Sequence, residues 1–161
     1  MDSDFFDIKS SKADLHSWNN IPYSKRANGI YLPNSKVISL HSGWSDMHFH
    51  MFNRPKYGMF LNFYDVKDAR ETRVQSGDPT LEFNMMISNQ VYNQLGSLQP
   101  TKIQQGFFNI TYLPFVDSIV KFEKDQFYCT MDVHIKDVLL NELLLDFPTV
   151  MEPLLTAMIH K

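Results

Sequence analysis

Apolar spacing along this chain changes once, at His134, and that change narrows what it can fold into. Before it, short runs rich in Val, Ile, Tyr and Phe follow one another, broken by Gly, Pro, Asn and Asp. After it, Ile135, Leu139 and Leu143 fall four apart, and Val138, Leu140, Leu144 and Phe147 widen the stripe. A period near two therefore gives way to one near 3.6. Many short strands at close intervals favour a barrel or sandwich over a parallel sheet with crossover helices.

Strands are expected at Val37–Leu40, Tyr57–Tyr64, Thr80–Ile87, Lys102–Leu113, Ile119–Glu123 and Phe127–His134. His41–Arg54 is aromatic and histidine-rich without a clean period, and Gln90–Leu98 reads as a loop or a single helical turn. Gly106 marks a bulge, and Lys124-Asp125 a hairpin turn. Residues 1–35 carry turn signals at Asn19-Asn20, Pro22, Asn28-Gly29 and Pro33-Asn34. Phe5, Phe6, Ile8, Leu15 and Trp18 suit a docked arm, with one short strand at Gly29–Leu32.

Pro148 ends the first helix near Asp146, because a proline restricts the residue before it. A second helix carries Met151, Leu154, Leu155, Met158 and Ile159, with Thr149 and Glu152 spaced as a capping box. Pro153 removes an amide from that turn. Helices this short do not stand alone in water. One face packs on the sheet, and the surplus apolar surface predicts a homodimer through Leu139, Leu140, Leu143, Leu144, Met151, Leu155 and Met158.

The chain has 161 residues, net charge −3 and no stripe of Lys and Arg, so direct nucleic-acid binding is not expected. Its single cysteine, Cys129, excludes an internal disulfide and reads as a small core residue. No long apolar run marks a leader or membrane span, so a cytoplasmic protein without membrane contact is the default.

The segments Phe108-Asn109-Ile110-Thr111-Tyr112-Leu113-Pro114, Phe122-Glu123-Lys124, Phe127-Tyr128, Met131-Asp132-Val133-His134, Leu143, Asp146-Phe147-Pro148 and Leu154-Leu155 follow in an order that resembles the regulatory N-terminal domain of AraC-type bacterial transcription regulators. The likeness covers residues 104–161, about a third of the chain. Where similar chains open the helix with Ser-Pro, this one has Lys136-Asp137. The resemblance implies a mostly β fold: a cupin-like, double-stranded β-helix barrel with two C-terminal helices. It divides the chain into an arm at 1–35, a barrel at 36–134 and a helical pair at 135–161. It also implies an effector-sensing and dimerisation domain, not an enzyme, that touches DNA only through a helix-turn-helix domain absent here. The alternatives are a cupin-type metalloenzyme and a purely structural dimerisation module.

Four apolar rows offer a pocket for a small-molecule effector: Leu61 and Phe63 on one strand, Phe83 and Met85 on another, Phe108, Ile110 and Tyr112 on a third, and Met131 on a fourth. His48 and His50, two apart, share a strand face as metal ligands do. Cupin enzymes follow such a pair with a Glu, and none follows here, so no metal or other cofactor is expected and packed histidines are the reading. Asp132 and His134 are also two apart and read as a strand-end polar pair. No phosphate loop, nucleophile elbow or paired-acid signature is visible.

Overall fold

The computed structural model describes residues 16–17, 24–27, 29–76, 79–96, 99–113 and 116–159. Eleven strands form two sheets among them. In chain order these are β1 (His16–Ser17), β2 (Lys36–His41), β3 (Ser45–Asn53), β4 (Tyr57–Val66), β5 (Arg70–Ser76), β6 (Thr80–Ser88), β7 (Val91–Leu95), β8 (Thr101–Ile103), β9 (Phe108–Leu113), β10 (Val116–Phe122) and β11 (Phe127–Lys136). The helices are α1 (Asp137–Asp146) and α2 (Pro148–Ile159).

The large sheet has the order β1-β2-β3-β4-β11-β6-β9, and the small sheet β5-β10-β7-β8. Up to β4 the chain is an antiparallel meander with tight corners. Ser42 closes one by accepting from the Ser45 amide (3.1 Å) and donating to its carbonyl (3.0 Å). After β4 the chain passes repeatedly between the sheets, and β11 enters the large sheet between β4 and β6.

The two sheets are not closed into a barrel: among the described residues, no strand of one pairs with a strand of the other. The barrel that the family resemblance implied is thus replaced by a two-sheet sandwich, the other arrangement that the strand spacing allowed. Closure needs edges long enough to pair all round. Here β8 has three residues, and the edge strand β5 is charged at Arg70, Glu71 and Arg73. Short and charged edges resist further pairing. Arg73 grips Asp117 of β10 through two hydrogen bonds of 2.6 Å, which ties β5 inward.

Several local expectations change with the topology. Lys102–Leu113 is two strands in different sheets, and Gly106 (φ 79°) sits at the turn between them, where a positive φ favours glycine. Lys124-Asp125 joins β10 to β11, also in different sheets, so it makes no hairpin. Val91–Leu95 is a strand, and no strand forms at Gly29–Leu32. Phe5, Phe6, Ile8, Leu15 and Trp18 lie outside the described residues.

Strict alternation gives the large sheet two faces. Along β11, Phe127, Cys129, Met131, Val133 and Ile135 share one face, and Tyr128, Thr130, Asp132 and His134 the other. The first face is covered at one end by Ala27 and Leu32, which pack with Leu61, Phe63, Phe127 and Cys129. At the other end Leu140 of α1 and Met151 of α2 pack on Leu81, with Phe83, Ile110, Tyr112 and Ile135 around them. The second face meets the small sheet in a core of Val66, Met86, Val91, Ile103, Phe122 and Tyr128. The rings of Trp44, Tyr64 and Tyr128 each pack on Phe122 and close it, with centroids 4.8–5.7 Å from that ring. No helix among the described residues is long and apolar enough to cross a membrane.

Candidate metal centre

The face turned toward the small sheet changes character along its length. Past Tyr128, β11 offers Thr130, Asp132 and His134 in place of apolar residues. Register sets Asp132 opposite Asn84 and His134 opposite Glu82 on β6, and Thr130 opposite Asn62 on β4. Six polar side chains from three adjacent strands therefore converge on one face.

Asp132 is 8% exposed and lies at the centre. Its Oδ2 accepts from Asn62 Nδ2 at 2.6 Å, and its Oδ1 from Asn84 Nδ2 at 2.5 Å. The Thr130 hydroxyl adds a longer bond of 3.5 Å. His134, with 2% of its side chain exposed, brings Nε2 to 3.9 Å from Glu82 Oε1. One donor atom each from Glu82, Asp132 and His134 falls within 4.8 Å of the others. Two ligand atoms bound about 2.1 Å from one ion are roughly 3 to 4 Å apart, so small side-chain movements would bring all three onto a single ion.

Burial sets the charges. It pushes the Glu82 carboxyl well above its ordinary range, and negative Asp132 beside it adds to the shift. It also raises the Asp132 carboxyl, against the hydrogen bonds from Asn84, Asn62 and Thr130 that favour the anion. It drives the His134 imidazole down to about 4, which keeps the ring neutral at pH 7. Two crowded carboxylates that resist losing both protons, next to a neutral imidazole, are what a divalent cation relieves. The donor set, two carboxylates and one imidazole, is one that such ions take.

This cluster overturns the expectation that the chain has no catalytic chemistry: a buried Glu, Asp and His capable of coordinating a metal suggest catalytic activity. Glu82 escaped notice because it stands fifty residues before Asp132, and only the β6–β11 register joins them. The available signal was the complement of the apolar rows. Asn62, Glu82, Asn84, Thr130, Asp132 and His134 all occupy the alternate positions of strands whose other residues are apolar.

The residues singled out from sequence lie elsewhere. His48 and His50 are buried on the opposite face, 1% and 4% exposed. Ser39 Oγ is 2.8 Å from His48 Nδ1, Ser35 Oγ is 3.0 Å from His50 Nδ1, and Phe63 meets His50 edge-on. The four apolar rows do stand side by side, since Cys129 faces Phe63, Met131 faces Leu61 and Met85, and Phe83 faces Ile110. Their face is the one that Ala27 and the helices cover. Phe108, at its edge, is 63% exposed. On the helices, Leu140 and Met151 are buried, and Leu143, Leu144 and Leu155 pack beside them, while Leu139 is half-buried. The side chain of Met158 lies outside the described residues.

No protein-family model matches the chain, and no curated protein matches it. Solved structures do. The cupin domain of Schizosaccharomyces pombe Cnp3 is 11% identical, with a TM-score of 0.51 over 71% of this chain and 77% of that one. The AraC-like transcriptional activator CuxR is 10% identical, with a TM-score of 0.46 over 67% of this chain. A Cupin 2 conserved barrel domain protein from Salinispora arenicola is 8% identical, with a TM-score of 0.45 over 63% of this chain and 84% of that one. The chain spans 38% of the length of CuxR. The fold is cupin-like. At such identities the likeness speaks for the fold alone and singles out no regulator family.

Proposed function

We propose that this domain is a cupin-type metalloenzyme whose divalent metal ion is held by Glu82, Asp132 and His134. The observation that carries the reading is the meeting of those three donors within 4.8 Å, with Asp132 and His134 buried. A bound divalent ion supplies a Lewis acid that polarises a carbonyl or phosphoryl oxygen. The chain's own residues supply the rest. Asn62 and Asn84 hold the two Asp132 oxygens in place. His134 stays neutral and ready to ligate. Phe60, edge-on to His134 at 5.1 Å between centroids, helps keep water from the ring.

Elemental analysis of protein purified without added chelator is expected to find close to one divalent ion per chain. Replacing His134 by Ala, or Glu82 by Gln, should reduce this to a trace while circular dichroism stays native. Stoichiometric metal that survives both changes, or no metal uptake by the unaltered protein, contradicts the reading.

A second reading has its own support. Val138, Leu145, Phe147 and Val150 are 56–82% exposed on α1, α2 and the residue between them. Grouped apolar residues on a surface favour a partner. In this reading the domain senses a small-molecule effector on the face of Leu61, Phe63, Phe83, Met85, Phe108, Ile110, Tyr112 and Met131. It pairs through its helices on behalf of a transcription regulator. Sedimentation across a concentration series decides it: a dimer that Leu145→Lys dissociates supports it, and a monomer at all concentrations counts against it.

A further inference from the structure

Asn84 uses only the nitrogen end of its carboxamide for hydrogen bonding among the described residues. Its Nδ2 donates to Asp132 Oδ1, while its own Oδ1 is buried and accepts nothing among the described residues. Orphaned buried acceptors are rare, and a bound ion or an ordered water is among the few things that explain them. The position is suggestive as well. Asn84 stands two residues from Glu82 on the same face of β6, directly opposite Asp132 in the register. The stranded oxygen thus belongs to a residue that already touches one metal ligand and flanks another.

We infer that Asn84 is the fourth protein ligand of the centre, through its carboxamide oxygen, and that the completed set favours manganese(II). This rests on the metal-centre reading and deepens it. With Asn84, the set is two carboxylates, one amide carbonyl and one imidazole. Oxygen-rich sets suit harder ions such as Mn²⁺, whereas imidazole-rich sets suit zinc, copper and nickel. Zinc in catalytic sites is satisfied by three protein ligands and one open position. A fourth, neutral oxygen therefore adds more for an ion that takes six ligands than for one that takes four.

Asn62 provides the control. It too donates to Asp132, on Oδ2, and to Thr130 Oγ1 at 3.1 Å. If Asn84 acts only by steadying Asp132, its loss should resemble the loss of Asn62. If its oxygen binds the ion, the two should differ by metal.

The experiment titrates Mn²⁺ and Zn²⁺ into the chelator-stripped full chain by calorimetry, for the unaltered protein, Asn84→Ala, Asn62→Ala and Asn84→Asp. Asn84→Ala is expected to weaken Mn²⁺ about tenfold or more, the scale on which single partners of a metal site act, and Zn²⁺ about threefold or less. Asn62→Ala should weaken both ions by a common factor. Asn84→Asp keeps an oxygen at the position and should retain Mn²⁺ binding. It also carries the test if Asn84→Ala does not fold. The inference is overturned if Asn84→Ala lowers both affinities equally, as Asn62→Ala does, or if Asn84→Asp loses Mn²⁺. In those cases the metal-centre reading stands, because the unaltered protein still binds. If the unaltered protein binds neither ion, the centre itself fails.

Discussion

Asp46 carries the clearest single-residue charge effect outside the metal site. Burial alone would raise its carboxyl, but Lys67 at 2.8 Å and His41 on its other side outweigh that and hold it below its ordinary value of 3.8. A carboxyl lowered by folding stabilises the native state above its unfolded pKa, and the gain disappears as pH falls through the native value. Asp46→Asn should therefore cost about 1 kcal/mol at pH 7, the upper range for a partly exposed ion pair. Once the pH is far enough below 3.8 that the native carboxyl is protonated as well, the variant and the parent should unfold alike. Urea unfolding at both pH values measures this, and an equal deficit at low pH would assign the loss to packing. Cys129 is quieter. Burial pushes its thiol up to about 12, so a thiol reagent at pH 7 should label the native chain far more slowly than the urea-unfolded chain.

At the scale of elements, β4 and β11 work as a pair. Gly58 lies opposite His134, and a Cβ built there would come within 2.9 Å of the Phe60 ring. That ring is 3% exposed and has little room to yield. Gly58→Ala is thus expected to cost about 1–3 kcal/mol, as overpacking does. Because Phe60 leans on His134, the same change should also weaken metal binding. A variant with parental melting temperature and metal affinity would contradict the coupling. The helices answer to a different residue: Leu140 is 5% exposed over Leu81, and Leu140→Ala should cost about 2–5 kcal/mol in urea unfolding. Periodicity alone reveals these elements where one face of a strand is apolar. Helix α1 stops at Asp146, as Pro148 foretells, whereas α2 opens at Pro148 itself, so that Thr149 lies within the helix and not at its cap. Val91–Leu95 is missed, because Tyr92, Asn93 and Gln94 follow no plain alternation and its place comes from pairing with β8 and β10. The charged β5 is missed for a similar reason. Its Arg and Glu residues show no apolar pattern, and Asp117 and Lys121 across the ladder take them up.

On the scale of the whole molecule, the second sheet decides what the first one means. From sequence, the rows of Phe63, Phe83, Ile110 and Met131 draw attention as a pocket, since apolar positions report burial and polar ones usually report solvent. In the structure Asn62, Asp132 and His134 among the polar alternates are buried too, and the chemistry lies there. Asp132 and His134 stand out in the sequence as a pair two apart, but their third member, Glu82, cannot be found by spacing. Long-range register, which no local pattern encodes, brings it within reach. The His48 and His50 pair shows the converse: ligand-like spacing on a strand face that the fold packs with Phe63, Ser35 and Ser39. Anomalous diffraction from a crystal of the full chain soaked in Mn²⁺, recorded near the manganese edge, separates these two sites directly. The account predicts one strong peak among Glu82, Asp132 and His134; a peak at His48 and His50 instead, or none in the protein interior, would contradict it.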